Sequence, residues 1–424
     1  MLTCIRSAAA WRHAVWCSAL AIVLAVFAPM AGAAPLSLDE ALALAQREAP
    51  NLAASTAKVD AARQSVVPAG ELPDPKLALG IDNYPISGPD AFSMTADFMT
   101  MRRIGVMQEV PNSDKRRARR EVAEARLEQA GAEQQVVRRE VRRDTALAWI
   151  ARLTVEKKLA QFVRLEQENR LLTEVVRARI AGGQGRAAEE VMPRLEALEL
   201  ANQRDELEMQ QRQAVAGLRR WLGQAAEQPM SEVWPAWPVG REALQAGLHQ
   251  HPELIAFDPM GRVLAAEVRE AEAAKRPDWA VDMAYQRRGS EFGDMMSLEF
   301  RFDLPVFAER RQDPLIAAKQ AERIGLDAAR EGLLRQHAEE LERDLAEYER
   351  LERVLARQRD TLLPLLTDKF DLMLASYRAG KSELAEVIAA RAERQTAQLQ
   401  LIGMEGQKSA TAARLHFVYG EDTK

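Results

Sequence analysis

Cysteine is confined to the first stretch of this 424-residue chain, at Cys4 and Cys17. Residues 1–33 read as an export signal. Arg6 and Arg12 supply a positive start, Val15 to Phe27 an apolar core, and Ala31-Gly32-Ala33 a small-residue cleavage site. The alternative, a membrane anchor, is disfavoured because the apolar run is short for a spanning helix. With the signal removed, no cysteine is left for a disulfide, a thiolate metal site, a thiol nucleophile or a lipid anchor. Long apolar stretches are also missing after the signal, which excludes a helical transmembrane protein and leaves a closed β-barrel as the only way to span a bilayer. Basic excess is missing too. The net charge is −5, and the signal carries two arginines and no acid, so the mature chain stands at −7. That argues against a nucleic-acid partner. No glycine-rich phosphate loop and no G-x-S-x-G elbow occurs, so neither an enzyme nor a cofactor is expected.

What the chain does contain is a repeat. Around Glu40 it reads EALALAQREAPNLAA and around Glu242 EALQAGLHQHPELIA, with Leu42, Pro50 and Leu52 matching Leu244, Pro252 and Leu254. Pro73-Asp74 echoes Pro277-Asp278, and GVMQEVPNSDKRR (Gly105 to Arg117) echoes EFRFDLPVFAERR (Glu299 to Arg311). RIAGGQGRAAEEV (Arg179 to Val191) pairs with YRAGKSELAEV (Tyr377 to Val387), which sets Glu190 opposite Glu386. Residues 34–223 form the first repeat, 224–240 a linker with Trp234, Trp237 and three prolines, and 241–424 the second. Each repeat reads as helix, two short strands, long helix, tight turn, helix. Two units are too few for a solenoid.

The strand segments are Lys76 to Tyr84, Met99 to Val110, Asp278 to Arg288 and Met295 to Leu304. In the fourth, Met296, Leu298, Phe300, Phe302 and Leu304 share one face, and Ser297, Glu299, Arg301 and Asp303 the other. Trp279, Val281, Met283 and Tyr285 oppose Asp282 and Gln286 in the third; Leu77, Leu79 and Ile81 share a face in the first. Apolar-out, charged-in strands of this length suit the wall of an outer-membrane barrel; the other reading is a soluble sheet packed on one face. Four strands cannot close such a barrel and would leave two open edges. A cyclic trimer would remove them and give twelve strands, within the known range of about 8 to 26.

The remainder is helix. Leu38 to Val67 is read as one helix. Lys115 to Ile180 contains no proline and would run about 100 Å; Val191 to Leu222 returns. Leu315 to Tyr377 goes out and Ser382 to Tyr419 comes back. Leu341, Leu345 and Leu355 among Glu339, Glu342 and Arg343 suggest a coiled-coil wall. Together, the duplicated L-x-x-x-P-x-L-type openings, the QEVPNSDKRR and DLPVFAERR strand exits and the YRAGKSELAEV hairpin resemble the TolC-like outer-membrane efflux family, over Leu36 to Gly420. LPDPKLALGIDNYP and MTMRRIGVMQEVPNSDKRR look more like its heavy-metal, CzcC/CusC-like branch. The resemblance implies a mainly α fold with a small β part: a homotrimer combining a twelve-stranded outer-membrane barrel with a twelve-helix periplasmic tunnel. The channel would be passive, docking with a periplasmic adaptor and an inner-membrane RND-type pump. Two departures stand out. The lipidated cysteine common in the metal branch is missing, and Ser382 replaces an arginine common in the drug-efflux type.

The hairpin turns are the functional candidates. Gly182, Gly183 and Gly185 occupy one; Gly380, Lys381 and Ser382 the other. By resemblance they would form the adaptor-docking tip, with Glu386 at the tunnel constriction and Glu190 its repeat mate. A ring of six carboxylates would favour cations; the simpler account is solvated charges favoured by the helix dipole. Asp282, Glu299, Arg301 and Asp303 would line the barrel lumen. His249-x-His251 is the only close histidine pair and reads as a solvated loop before Pro252; His337 and His416 lie alone on helices, and no metal site is expected. The leading reading is an efflux duct for heavy-metal cations, with drugs or a secreted polypeptide as the alternative cargo of the same fold; a soluble periplasmic coiled-coil scaffold or adaptor is the reading from another class.

Overall fold

The computed structural model describes residues 35–420, so the signal segment and the last four residues lie outside it. The chain opens with α1 (Leu38–Glu48), started by a capping box in which the Ser37 side chain and Glu40 satisfy each other's backbone N–H. The expected single helix from Leu38 to Val67 is two. Ala49 is extended (φ −64°, ψ 122°) because it precedes Pro50, which excludes it from the helical region, and α2 (Pro50–Ala69) starts afresh.

Strands β1 (Lys76–Asp82) and β2 (Met101–Val110) lead into α3 (Ser113–Ala181), 69 residues long and about 100 Å by its rise. Its cap is Asn112, which accepts from the Lys115 backbone N–H. α4 (Val191–Leu222) returns alongside. The second repeat runs α5 (Arg241–Gly247), α6 (Pro252–Ile255), α7 (Phe257–Ala273), β3 (Asp278–Arg287), β4 (Met295–Asp303), α8 (Gln312–Arg357), α9 (Leu363–Arg378) and α10 (Leu384–Tyr419). The outgoing helix of this repeat is interrupted where the sequence suggests none. A π turn at Gln358–Leu362 separates α8 from α9, just before Pro364, whose missing N–H and bulky ring cannot continue regular α-helical bonding.

The four strands form one antiparallel sheet in the order β1-β2-β3-β4, so β2 and β3 join the two repeats while β1 and β4 are edges. Instead of one central core, apolar clusters are spaced along the helices. The largest gathers Leu36, Ala45, Trp149, Ile150, Trp221 and Met230. Residues 224–240 lie on this body. Leu36 bridges to Met230, Arg152 donates to the Ala226 and Gln228 carbonyls, Trp234 Nε1 donates to Glu405, and Trp237 stacks on His416. A second cluster, Leu244, Leu341, Leu345, Leu415 and Tyr419, serves the second repeat. Two more, around Phe162 and around Tyr377, lie farther toward the hairpin turns.

Candidate functional site

Both hairpin turns are built alike. After α3, the Gln184 N–H reaches the Arg179 carbonyl and the Gly183 N–H reaches that of Ile180; after α9, Lys381 reaches Ser376 and Gly380 reaches Tyr377. This is the double bond of a helix end closed by a left-handed residue. That residue is Gly183 (φ +71°) in one turn and Gly380 (φ +72°) in the other. Gly182 sits at φ −80°, where any residue fits. The Gly185 backbone lies so close to Ile180 that a Cβ would come within 2.9 Å of that side chain. Lys381 is exposed and Ser382 half-buried.

These turns are related by a separation of 197 residues, Arg179 to Ser376 and Gly183 to Gly380, and the same separation links the helix ends at Gly223 and Gly420. It sets Glu386 opposite Glu189, and Glu190 opposite buried Val387. The sequence pairing of Glu190 with Glu386 is therefore one residue off. The return in the first repeat begins with a 3₁₀ turn, Ala187–Glu190, which has no counterpart before α10 and hides the register.

The three carboxylates differ. Glu189 accepts from the Tyr377 hydroxyl at 2.7 Å. Burial, then this carboxylate, push Tyr377 up to about 12. Glu190 pairs with Arg194 at 2.6 Å and lies 3.7 Å from Arg177. Glu386 is exposed in the first turn of α10, and no ion pair reaches it among the described residues. The turns also touch each other. Arg186 and Glu383 lie 3.6 Å apart, and the Arg179 guanidinium stacks 4.1 Å over the Tyr377 ring. Just behind them, buried Arg391 of α10 donates to Glu196 of α4 and Asn169 of α3, and Asn169 donates to the Pro193 carbonyl. Sequence reasoning missed this brace, because an arginine on a helix looks solvated until its neighbours are known.

At the other end the sheet separates its faces. Leu77, Leu79, Ile104, Val106, Met283, Met296, Leu298 and Phe300 point to one side in register, and Leu79 and Met296 are 71% and 73% exposed. The opposite side carries Asp282, Glu299, Arg301 and Asp303, as the alternation predicts, and also Lys76, Arg103 and Glu109, which were missed because β1 and β2 alternate weakly. Asp282 is buried against Arg103 at 2.6 Å and faces Glu299 across the strands; Glu299 and Arg301 pair at 2.7 Å. Small residues bring the strands close on this face: a Cβ on Gly105 would lie 2.9 Å from that of Ala284. Sheet and α3 are clamped together by Asp278, which accepts from the Asn112 backbone and side chain and from Lys115.

The histidines are not where the sequence puts them. His249 is exposed as expected, but His251 is buried, because Pro252 starts α6 and turns the ring into the helical body against His337 of α8, centroid to centroid 4.0 Å. Glu253 completes the group: its Oε2 lies 3.2 Å from His337 Nε2. Burial first, then His337, push His251 down to about 4, so its ring is neutral at physiological pH. The hydrogen bond with His337 holds Glu253 below the usual carboxylate range.

No family model and no curated protein matches this chain. Solved structures do. It is similar to CusC, described for its folding and transmembrane channel formation, at 14% identity and a TM-score of 0.75, over 90% of this chain and 92% of that one. It is similar to the outer membrane protein VceC of Vibrio cholerae at 16% identity and 0.73, over 91% and 97%. The Campylobacter jejuni CmeC outer membrane channel aligns at 11% identity and 0.75, over 91% and 87%. Among the described residues no helix is long and apolar enough to cross a membrane. With its duplicated helical hairpins and four-stranded, two-faced sheet, this chain has the TolC-like outer-membrane channel fold.

Proposed function

We propose that this chain is the outer-membrane channel of a tripartite efflux system, a homotrimer conducting cargo passively from a periplasmic adaptor and an RND-type pump to the exterior. The observation that carries the reading is the sheet. One face is mainly apolar and exposed across the four strands, with Gln108 and, toward one end, Arg102 and Arg287 on it; the other is charged and largely paired, and the edges β1 and β4 are open. Water on the apolar face would cost roughly 25 cal/mol for each Å² exposed, and lipid removes that cost. Joining β1 of one protomer to β4 of the next closes twelve strands around the charged side. The helices then form a periplasmic tunnel with the paired turns at its tip, where the adaptor docks. There is no chemistry to perform, so the chain is not an enzyme.

Heavy-metal cations are the proposed cargo. Support comes from the CzcC/CusC-like sequence segments and from Glu386, whose carboxylate has no cation to neutralise it. Glu190 shares its charge with Arg194 and Arg177 and contributes less to a cation-selective ring.

Two measurements test this. Outer-membrane fractions run unboiled and boiled should show an oligomer that collapses to a monomer below the 47.3 kDa of the full chain; a soluble periplasmic monomer would overturn the channel. In planar bilayers, Glu386→Gln should lower cation selectivity more than Glu190→Gln. Unchanged selectivity in both would remove the constriction role.

A further inference from the structure

His251, Glu253 and His337 come from two separate segments, yet one ligand atom from each lies within 4.8 Å of the others. Two ligands of one four-coordinate ion, each about 2.0–2.1 Å from it, stand a little over 3 Å apart, and His337 Nε2 and Glu253 Oε2 are at 3.2 Å. The Glu253 backbone N–H donates to His251 Nδ1 at 3.3 Å, so Nδ1 carries the lone pair of the neutral ring, and an ion would take it in place of that long hydrogen bond. His337 is 5% exposed, and its Nδ1 has no hydrogen-bond partner while Glu340 Oε2 lies 3.7 Å away. A buried imidazole with one nitrogen on a shared cluster and the other turned toward a carboxylate is the outer-shell arrangement that orients metal-binding histidines. The surrounding charge includes both signs. Arg139 and Arg143 of α3 act on the cluster, and Glu140 and Glu340 offset them.

We propose that His251, Glu253 and His337 form a binding site for a first-row divalent cation of the Zn²⁺ type, with water as fourth ligand. Two imidazoles and one carboxylate suit such an ion. The site is structural: it fastens the opening of the second repeat to α8, whose His337 carbonyl also holds the Tyr419 hydroxyl at the end of α10. Among the described residues the first repeat has no such site. Its residues at the places of His251 and Glu253 are Ala49 and Asn51. The site lies in the helical body, away from the turns and the sheet.

The full chain is purified in detergent as its oligomer, stripped with chelator and titrated with Zn²⁺ and, separately, Co²⁺. One ion per chain is expected, with Co²⁺ giving the intense visible bands of a four-coordinate site. Losing an outer-shell partner already weakens a metal site about 10–100-fold, so His251→Asn and His337→Gln should weaken binding by at least that factor. His249→Asn should leave it unchanged. Zn²⁺ should also slow amide exchange over residues 248–256 in the unsubstituted chain. No stoichiometric binding there, Co²⁺ spectra of a six-coordinate aquo ion, or equal affinity in the His251 and His337 variants would each overturn the site. The first two results need no variant, so a substitution that fails to fold leaves the test decisive.

Discussion

The two repeats share a backbone plan and differ in how they fill it. Their turns carry the same pair of hydrogen bonds around Gly183 and Gly380. Their interiors do not correspond. The first repeat seats α1 on Trp149, Ile150 and Trp221, a mainly apolar contact. The second seats α5 on Leu341, Leu345 and Leu415, and close by buries two histidines against a half-buried glutamate. The first also has one unbroken 69-residue helix where the second has a π turn. Closing a helix with a left-handed residue is a local requirement and tolerates few solutions. Filling the space between helices is collective and tolerates many.

The largest expected effect is on the first interior. Trp149→Ala should cost about 3–5 kcal/mol, the usual range for emptying a large aromatic site, while Leu341→Ala in the second interior should cost about 2–5 kcal/mol. Denaturant unfolding of the detergent-solubilised chain, followed by helical circular dichroism, measures both. Equal losses would mean that the repeats lean on their interiors equally.

A comparable loss is expected at the brace between repeats. Arg391→Ala strands Glu196 and the Asn169 oxygen with little exposure and should cost about 3–5 kcal/mol, whereas Arg391→Met with Glu196→Met should cost only about 1–3 kcal/mol, from the unpartnered Asn169 oxygen. If the double substitution is as harmful as the single one, the pair does more than balance its own burial.

Tyr377 distinguishes the tips by pH. Its folded pKa, about 12, lies above the ordinary value of 10, so it adds stability below pH 10 and loses it as pH rises from 10 to 12. The ceiling is about 2–3 kcal/mol at 1.36 kcal/mol per unit. Amide exchange around residues 377–387 should accelerate across that window, and Tyr377→Phe should remove the step.

Smaller still, Gly183→Ala and Gly380→Ala should each cost about 1–2 kcal/mol, the penalty of the left-handed region for an L-residue. Gly182→Ala should cost almost nothing. Melting temperatures of the three variants check this ordering.

The alternation in the third and fourth segments places their apolar and charged faces as the structure has them, because the side-chain period of a strand is two and any register keeps it. The turns were legible through their glycines. Three features were not. Pro50 and Pro364 each stand in a long helical pattern, and composition does not say whether proline ends a helix or merely bulges it. The match of Glu386 with Glu190 followed the letters, while the turns and helix ends keep one separation of 197 that makes Glu189 the mate, the 3₁₀ turn standing where α10 has its first turn. His251 and His337, 86 positions apart in the sequence, have no local signal that joins them.

What the amino-acid order determined by itself is therefore what depends on near neighbours: helix and strand periods, glycine turns, the two faces of the sheet, and the doubling of the plan. What only the tertiary structure decided is which distant side chains share a buried volume. Arg391 with Glu196 and Asn169, and His251 with Glu253 and His337, are set by how helices lie against one another. Helical periodicity gives each residue a face but not the partner of that face, and a buried charge or imidazole gains its role from the partner.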